Sequence, residues 1–277
     1  MIKKILILLI AILFVPSILF ATGNDANTKS LLHCNGVDGS TTFTDVAAGG
    51  THTWAANGSA QVDDAQFKFN QSGLFDGNGD YLNSTDSADW QLGGGTGNFT
   101  VDFWVRFSSV AAQRQLFNQY VNSQNYWSID WNDNNYLRFF NLSSNAFTIY
   151  VSAPWTPSAD IWYHIAVVRN GTGTGCVTFY VNGVPLVSEL SGGAWNGAVS
   201  DFAGDLLIGC YGSLTTPAMA GWLDEIRISD TARFTADFSD SLPSAEYDDQ
   251  PEPSPTTYKP RGVLNKFNRT NYAVELN

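Results

Sequence analysis

Charge is scarce in this sequence. Only 14% of its 277 residues are Asp, Glu, Lys or Arg, beside 44% hydrophobic residues, which is too little charge and too much apolar bulk for a mainly disordered chain. Base is scarcer than acid, with 14 Lys and Arg against 26 Asp and Glu and a net charge of −12. Nucleic acid is therefore not expected as a partner, because holding a phosphate backbone needs clustered cations. Histidine and cysteine occur three times each, as His33, His52 and His164 and as Cys34, Cys176 and Cys210. No CxxC and no Cys/His zinc spacing appears, and no G-x-S-x-G nucleophile elbow. The stretch from Ser30 to Asp240 also lacks an internal repeat and any strong helical periodicity.

What is present points to strands. Aromatic residues make up 14% of the chain, with nine Trp and eighteen Phe, and short β-branched and aromatic runs are separated by Gly, Asn, Asp and Ser, the pattern of an all-β protein. "FTVDFWVRF" (99–107) alternates strictly and predicts a half-buried strand with Phe99, Val101, Phe103, Val105 and Phe107 on its core face. "YWSIDW" and "YLRFFNL" flank "NDNN" (132–135), a hairpin signal. Further strands are expected at 162–169, 177–183 and 205–209. In "GWLDEIRIS" (221–229), Leu223, Glu225 and Arg227 are set against Trp222, Asp224, Ile226 and Ile228. So many strands over about 210 residues predict a two-layer antiparallel sandwich, in which each sheet buries one face against the other.

The ends differ in character. "MIKKILILLIAILFVPSILFA" carries Lys3 and Lys4, an apolar run from Ile5 and small residues up to Ala21; it reads as a secretory signal peptide (1–21), the alternative being an uncleaved anchor. Its removal would leave 12 basic residues against 26 acidic, a balance of −14. The expected location is then secreted, cell-surface or periplasmic, with no membrane span in the mature chain. Residues 22–29 read as a linker, 30–240 as the folded domain, 241–260 as an acidic Pro-rich linker and 261–277 as a tail that is either loose or a tether docking on a partner. In an oxidising compartment Cys176 and Cys210 are the expected pair; otherwise all three thiols act as small buried apolar groups.

Seven segments in order, "LLHCNGVDGSTTFTD", "FDGNGDYLN", "FTVDFWVRF", "WYHIAVVRNG", "FYVNGVPL", "LLIG" and "GWLDEIRISDTARFTADF", resemble the laminin-G-like (LamG/pentraxin-type) domains of the concanavalin A-like lectin/glucanase superfamily over residues 30–240. The resemblance implies a jelly-roll of two antiparallel sheets that binds carbohydrate or protein surfaces, often with a structural calcium. It departs at Cys34, where such domains usually carry an aromatic residue. The glucanase branch carries Glu-x-Asp-x-Glu on one strand, which sets a nucleophile and an acid/base on one face. Here "SIDWND" (128–133) offers Asp130 with Ser128 and Asn132 beside it, and the adjacent Asp224 and Glu225 are expected on opposite faces, so no enzymatic activity is expected.

A glycan site needs exposed aromatic rings with amides or carboxylates beside them. The segment "NYWSIDWNDNNYLRF" (125–139) is richest in that mixture, Trp127 and Trp131 sharing one face and Tyr126 and Asp130 the other. Candidate ligand-binding residues are Trp131, Asp133, and the loop residues Trp155 and Trp195, the alternative for Trp127 and Trp131 being a place in the core. The expected function is non-catalytic recognition of a glycan, with adhesion to a cell-surface protein as the alternative and a polysaccharide hydrolase or lyase as a more distant one. For calcium, Asp224 resembles the aspartate that holds an ion near the last strand of related jelly-rolls. "LFDGNGDYLN" (74–83) has alternating oxygen donors, but Tyr81 and Ser87 stand where an EF-hand loop needs Gly and Glu. It is expected to be a turn from which Asp80 could lend an oxygen. His164, in "WYHIAVV", is expected to be a hydrogen-bonded structural histidine.

Overall fold

The computed structural model describes residues 23–249 apart from residue 213. The signal-peptide segment, the tail and most of the Pro-rich linker lie outside these residues. In chain order the strands are β1 (Thr28–Leu32), β2 (Thr42–Thr44), β3 (Thr53–Asn57), β4 (Gln61–Asp63), β5 (Ser72–Asp76), β6 (Tyr81–Ser84), β7 (Phe99–Phe107), β8 (Arg114–Asn122), β9 (Asn125–Asn132) and β10 (Tyr136–Ser143). They continue with β11 (Ala146–Pro154), β12 (Trp162–Arg169), β13 (Val177–Val181), β14 (Val184–Pro185), β15 (Glu189–Gly193), β16 (Leu206–Ile208), β17 (Cys210–Tyr211), β18 (Leu214–Ala218) and β19 (Ala220–Ser229). One sheet runs β14-β13-β12-β7-β19-β5-β4, with β1 also on β19; the second has nine strands in the order β15-β11-β10-β9-β8-β16-β6-β3-β2; β17 and β18 form a small pair of their own. All pairings are antiparallel. This is the jelly-roll sandwich that the strand pattern and the resemblance imply.

The core lies between the sheets, and period-two alternation puts it there. Phe99, Val101, Phe103, Val105 and Phe107 of β7 face Phe117, Trp127, Ile129, Trp131 and Phe139 of the second sheet inside one apolar cluster. The expectation of a half-buried β7 is corrected, because Thr100, Asp102 and Trp104 on its other face are buried too. The residues following β19 cover that face: Phe234 and Phe238 stack at 3.9 Å and pack with Ala166, Val168 and Tyr180. Further along, within the segment read as a linker, Tyr247 is buried, its hydroxyl donating to Asp102 at 2.7 Å.

Strand β19 corrects a second expectation. Its register against β7 shifts between Asp224 and Arg227, and Glu225 has a φ of 51°. This β-bulge inserts a residue and breaks the period of two, so Leu223, Ile226 and Ile228 all reach the core, and the grouping of Ile226 and Ile228 against Leu223 does not hold. The "LFDGNGDYLN" stretch is the expected turn, and because it joins β5 of one sheet to β6 of the other it forms a corner between layers. Gly77 and Gly79 take the positive φ values expected there, 85° and 82°. The expected Cys176–Cys210 pair is absent; all three cysteines are free and buried, as small apolar side chains of the interior.

Candidate functional site

The outer face of the nine-stranded sheet gathers a second set of aromatic residues outside the core. On β9, Trp127, Ile129 and Trp131 point inward, which leaves Tyr126, Ser128, Asp130 and Asn132 outward. Register brings Asp130 opposite Arg138 of β10, and Tyr150 of β11 opposite Phe140. The β17–β18 pair places Tyr211 against Tyr126 at 5.2 Å and Tyr120 at 5.3 Å, both edge-on. Phe140 lies edge-on to Tyr126, Phe147 and Tyr150 at 5.4–5.8 Å, in the geometry that aromatic quadrupoles favour.

Tyr126, Phe140, Phe147, Tyr150 and Tyr211 wall a depression of 280 Å³. At its floor Arg138 donates from Nε and Nη2 to the two carboxylate oxygens of Asp130, both at 2.6 Å, and Gln113 Nε2 donates to Oδ2 at 2.9 Å. Burial pushes the Asp130 carboxyl up, against the lowering effect of Arg138 and Gln113. The guanidinium is held in its charged form by Asp130 and Tyr150, more than offsetting its own burial. A planar pair bound in this bidentate way is a fixed polar edge among apolar rings. Burial and the neighbouring Tyr126 drive the Tyr211 phenol up, so it stays a neutral hydrogen-bonding group.

A second depression of 300 Å³ shares Arg138 and Tyr150 and adds Asn132, Tyr136, Ser152 and Glu189. A third, of 430 Å³, lies beyond Tyr120 and is lined by Tyr81, Asn83, Asp205 and Leu207 among others. Each of the three is lined by a single carboxylate, Asp130, Glu189 or Asp205, and Asp130 is chelated by its arginine.

The residues expected from sequence fall elsewhere. Trp131 is in the core, its indole N–H donating to the Trp155 carbonyl at 3.0 Å. Asp133 is exposed at the β9–β10 turn. Trp155 is half-buried against Tyr163 and Phe107, and Trp195 is half-buried against the core, its carbonyl accepting from the Cys176 thiol. The rings that line the depressions are chiefly tyrosine and phenylalanine. The signal was in the alternation of 125–139, which sets Tyr126 and Asp130 together on the face away from the tryptophans.

The two metal candidates do not meet. Asp80 is a staple for the corner turn, accepting N–H groups from Asp76 at 2.7 Å and Ser59 at 2.5 Å. Asp224 Oδ2 accepts from the backbone of Lys68 and Phe69, at 3.0 and 3.1 Å, while Oδ1 is buried without a partner among the described residues. Burial raises its carboxyl to about 8, Glu225 adding to the rise. Among the described residues no group of three or more His, Cys, Asp or Glu could hold a metal ion.

The opposite outer face is closed by a charged network. Arg227 pairs with Asp102 at 3.0 and 3.1 Å and lies 3.8 Å over the Tyr247 ring. Burial would raise the Asp102 carboxyl, but Arg227 and His164 hold it down at about 2. His33 bridges Glu225 and Asp249, and these carboxylates raise it to about 9 against the effect of burial. His164 is fully buried but, against expectation, neither ring nitrogen meets a hydrogen-bond partner among the described residues; it is packed edge-on by Trp104, Phe234 and Phe238, with Nε2 3.5 Å from Asp102.

Comparison with known proteins agrees with this architecture. No curated protein matches the sequence at a significant level. Among solved structures, the chain is similar to a botulinum neurotoxin serotype D binding domain, at 11% identity and a TM-score of 0.55, covering 75% of this chain and 49% of that one. It is also similar to a botulinum neurotoxin type C structure concerned with interaction with two ganglioside molecules, at 15% identity and 0.54, covering 74% and 48%. The chain thus spans about half of each toxin chain. Domain 4 of an extracellular arabinanase from Geobacillus stearothermophilus, in complex with arabinotriose, matches at 18% identity with a TM-score of 0.48, covering 66% and 84%. A laminin-G family model described as the concanavalin A-like lectin/glucanases superfamily matches residues 76–237. With two antiparallel sheets in jelly-roll order and a family match over more than half its length, the chain belongs to the concanavalin A-like lectin/glucanases superfamily.

Proposed function

We propose that the protein is an exported, non-catalytic module that binds glycans on the outer face of its nine-stranded sheet. The observation that carries this reading is the cluster of Tyr126, Phe140, Tyr150 and Tyr211 around the chelated Asp130–Arg138 pair. Sugar rings offer apolar faces for stacking and hydroxyls for hydrogen bonds, and this surface offers both in a fixed arrangement. The other sheet's outer face is covered by Phe234, Phe238 and Tyr247, so the nine-stranded face is the better platform. A botulinum neurotoxin of the same fold, whose solved structure concerns ganglioside interaction, is consistent with it. Export rests on the Lys3/Lys4 and apolar segment of residues 1–21.

Probing a glycan array with the purified protein tests the reading. Hits are expected, and Tyr126→Ala or Tyr150→Ala should weaken them about tenfold or more, the equivalent of about 1.4 kcal/mol of stacking, while Trp155→Ala leaves them in place. No hits on any glycan, or hits indifferent to both tyrosines, would overturn it.

A further inference from the structure

The three depressions lie in one row across the same sheet face. The first involves β15, β11 and β10, the central one β11, β10 and β9, and the last β8, β16, β6 and β3. Arg138 and Tyr150 border the first two. The second and third meet at Tyr120, which lies 5.8 Å from Tyr126 and 5.3 Å from Tyr211. Eight neighbouring strands at about 4.8 Å spacing extend this path to roughly 34 Å, several linked sugars long.

Its charge is one-sided. Among the residues lining the three depressions, the cation Arg138 stands against the carboxylates of Asp130, Glu189 and Asp205. Arg138 is already committed to Asp130 through two hydrogen bonds, and the whole chain carries −12. An anionic sugar brought here would meet repulsion with no free cation to offset it. The remaining polar lining is amide and hydroxyl, with Asn57, Gln113, Asn132 and Ser191 among it, groups that pair with sugar hydroxyls in either direction.

We propose that this face binds an uncharged, linear polysaccharide along its length, occupying all three depressions, in place of a single terminal or acidic sugar. The inference rests on the glycan-binding reading above and adds chain length and charge to it. The long axis crosses the strands, so each strand contributes one or two contacts and affinity grows as successive sugars are added.

The test titrates the full-length protein with cello-, xylo-, manno- and arabino-oligosaccharides of two to eight units. In parallel it is titrated with oligogalacturonates, alginate oligomers and sialylated glycans. Affinity for at least one neutral series should rise tenfold or more from two units to six. Ser191→Trp fills the end depression from the exposed rim, and Tyr81→Ala removes a ring from the other end. Each should bring the six-unit affinity down toward that of the two-unit ligand, with thermal melts showing that both variants fold. Preferred binding of an acidic series, or affinity that does not rise with length, would overturn the inference while leaving glycan binding intact. No binding to any of these ligands together with no hit on the glycan array would sink both.

Discussion

Removing Arg138 while keeping its partner is the sharpest perturbation of the site. In Arg138→Met the apolar stem of the side chain is retained, but Asp130, 1% exposed, loses two hydrogen bonds of 2.6 Å and keeps the amide of Gln113 at 2.9 Å. A buried carboxylate stripped of its cation typically costs ~3–5 kcal/mol. For a domain of this size that corresponds to a fall of about 6–20 °C in melting temperature. The loss should depend on pH. Burial already raises the Asp130 carboxyl with its arginine in place, and without the arginine it rises further above the unfolded value of 3.8. The folded variant then holds the proton more tightly than the unfolded chain, so its stability declines as pH rises through the acid range. The gap to the parent should be smallest in acid, where Asp130 is neutral in both, and widest at pH 7. Urea unfolding followed by tryptophan fluorescence at several pH values measures it. In the double variant Asp130→Asn/Arg138→Met most of the loss at pH 7 should be recovered, because the surviving partner is then uncharged. A loss of the same size at every pH, or a double variant no more stable than the single, would refute the picture of a buried charge held by its arginine.

Two further predictions concern the closed face. Asp224 has a folded value of about 8, raised above 3.8, so its carboxyl costs stability increasingly as pH climbs from about 4 to 8. Asp224→Asn keeps an oxygen for the Lys68 and Phe69 amides and should therefore stabilise the protein at pH 8 by a few kcal/mol relative to its effect at pH 4; denaturant midpoints that move equally at both pH values contradict this. His33, raised to about 9, contributes stability that is full below 6.5 and is lost as pH rises through 9, at most about 3 kcal/mol at about 1.4 kcal/mol per unit. In His33→Gln that decline between pH 6.5 and 9 should flatten, as read from melting temperatures, and an unchanged slope would show that the bridge to Glu225 and Asp249 contributes nothing.

The fold was legible because its signal is periodic and local. The alternation of 99–107 and the paired runs around "NDNN" fix which side chains enter the core, and the structure puts Phe99 to Phe107 and Trp127 to Trp131 there. What escaped was every feature set by a break in period or by a distant partner. The bulge at Glu225 changes which residues of β19 face inward, and nothing in "GWLDEIRIS" marks it, since the positive φ falls on a glutamate instead of a glycine. That β5 and β6 belong to different layers depends on pairing with β19 and β16, strands more than a hundred residues away.

The candidate site follows the same division. Sequence reasoning put forward Trp131 from the segment richest in rings and polar groups, and Trp155 and Trp195 as loop residues, but the size of an indole is also what makes it useful to a core. Trp127 and Trp131 are buried, their indole N–H groups bound by Trp90, Gln119 and Trp155. In a strand with one face in the core, the largest apolar rings are drawn inward, and the amphipathic tyrosines are left for the face that meets water. Tyr126 and Asp130 were already set on the face opposite the tryptophans, and only the neighbouring strands and the β17 contact show that this face is the outer one and that Arg138, Phe140, Tyr150 and Tyr211 stand beside them. The open groove and the closed network thus have one origin. Each sheet commits one face to the shared core; the eight-stranded sheet's other face is covered by its own following chain, and the nine-stranded sheet's other face keeps half-exposed rings, Phe147 and Tyr150 meeting one another and Phe140 among the described aromatic rings. A protein that leaves such rings in a row at the surface retains a face suited to a ligand with apolar surface of its own.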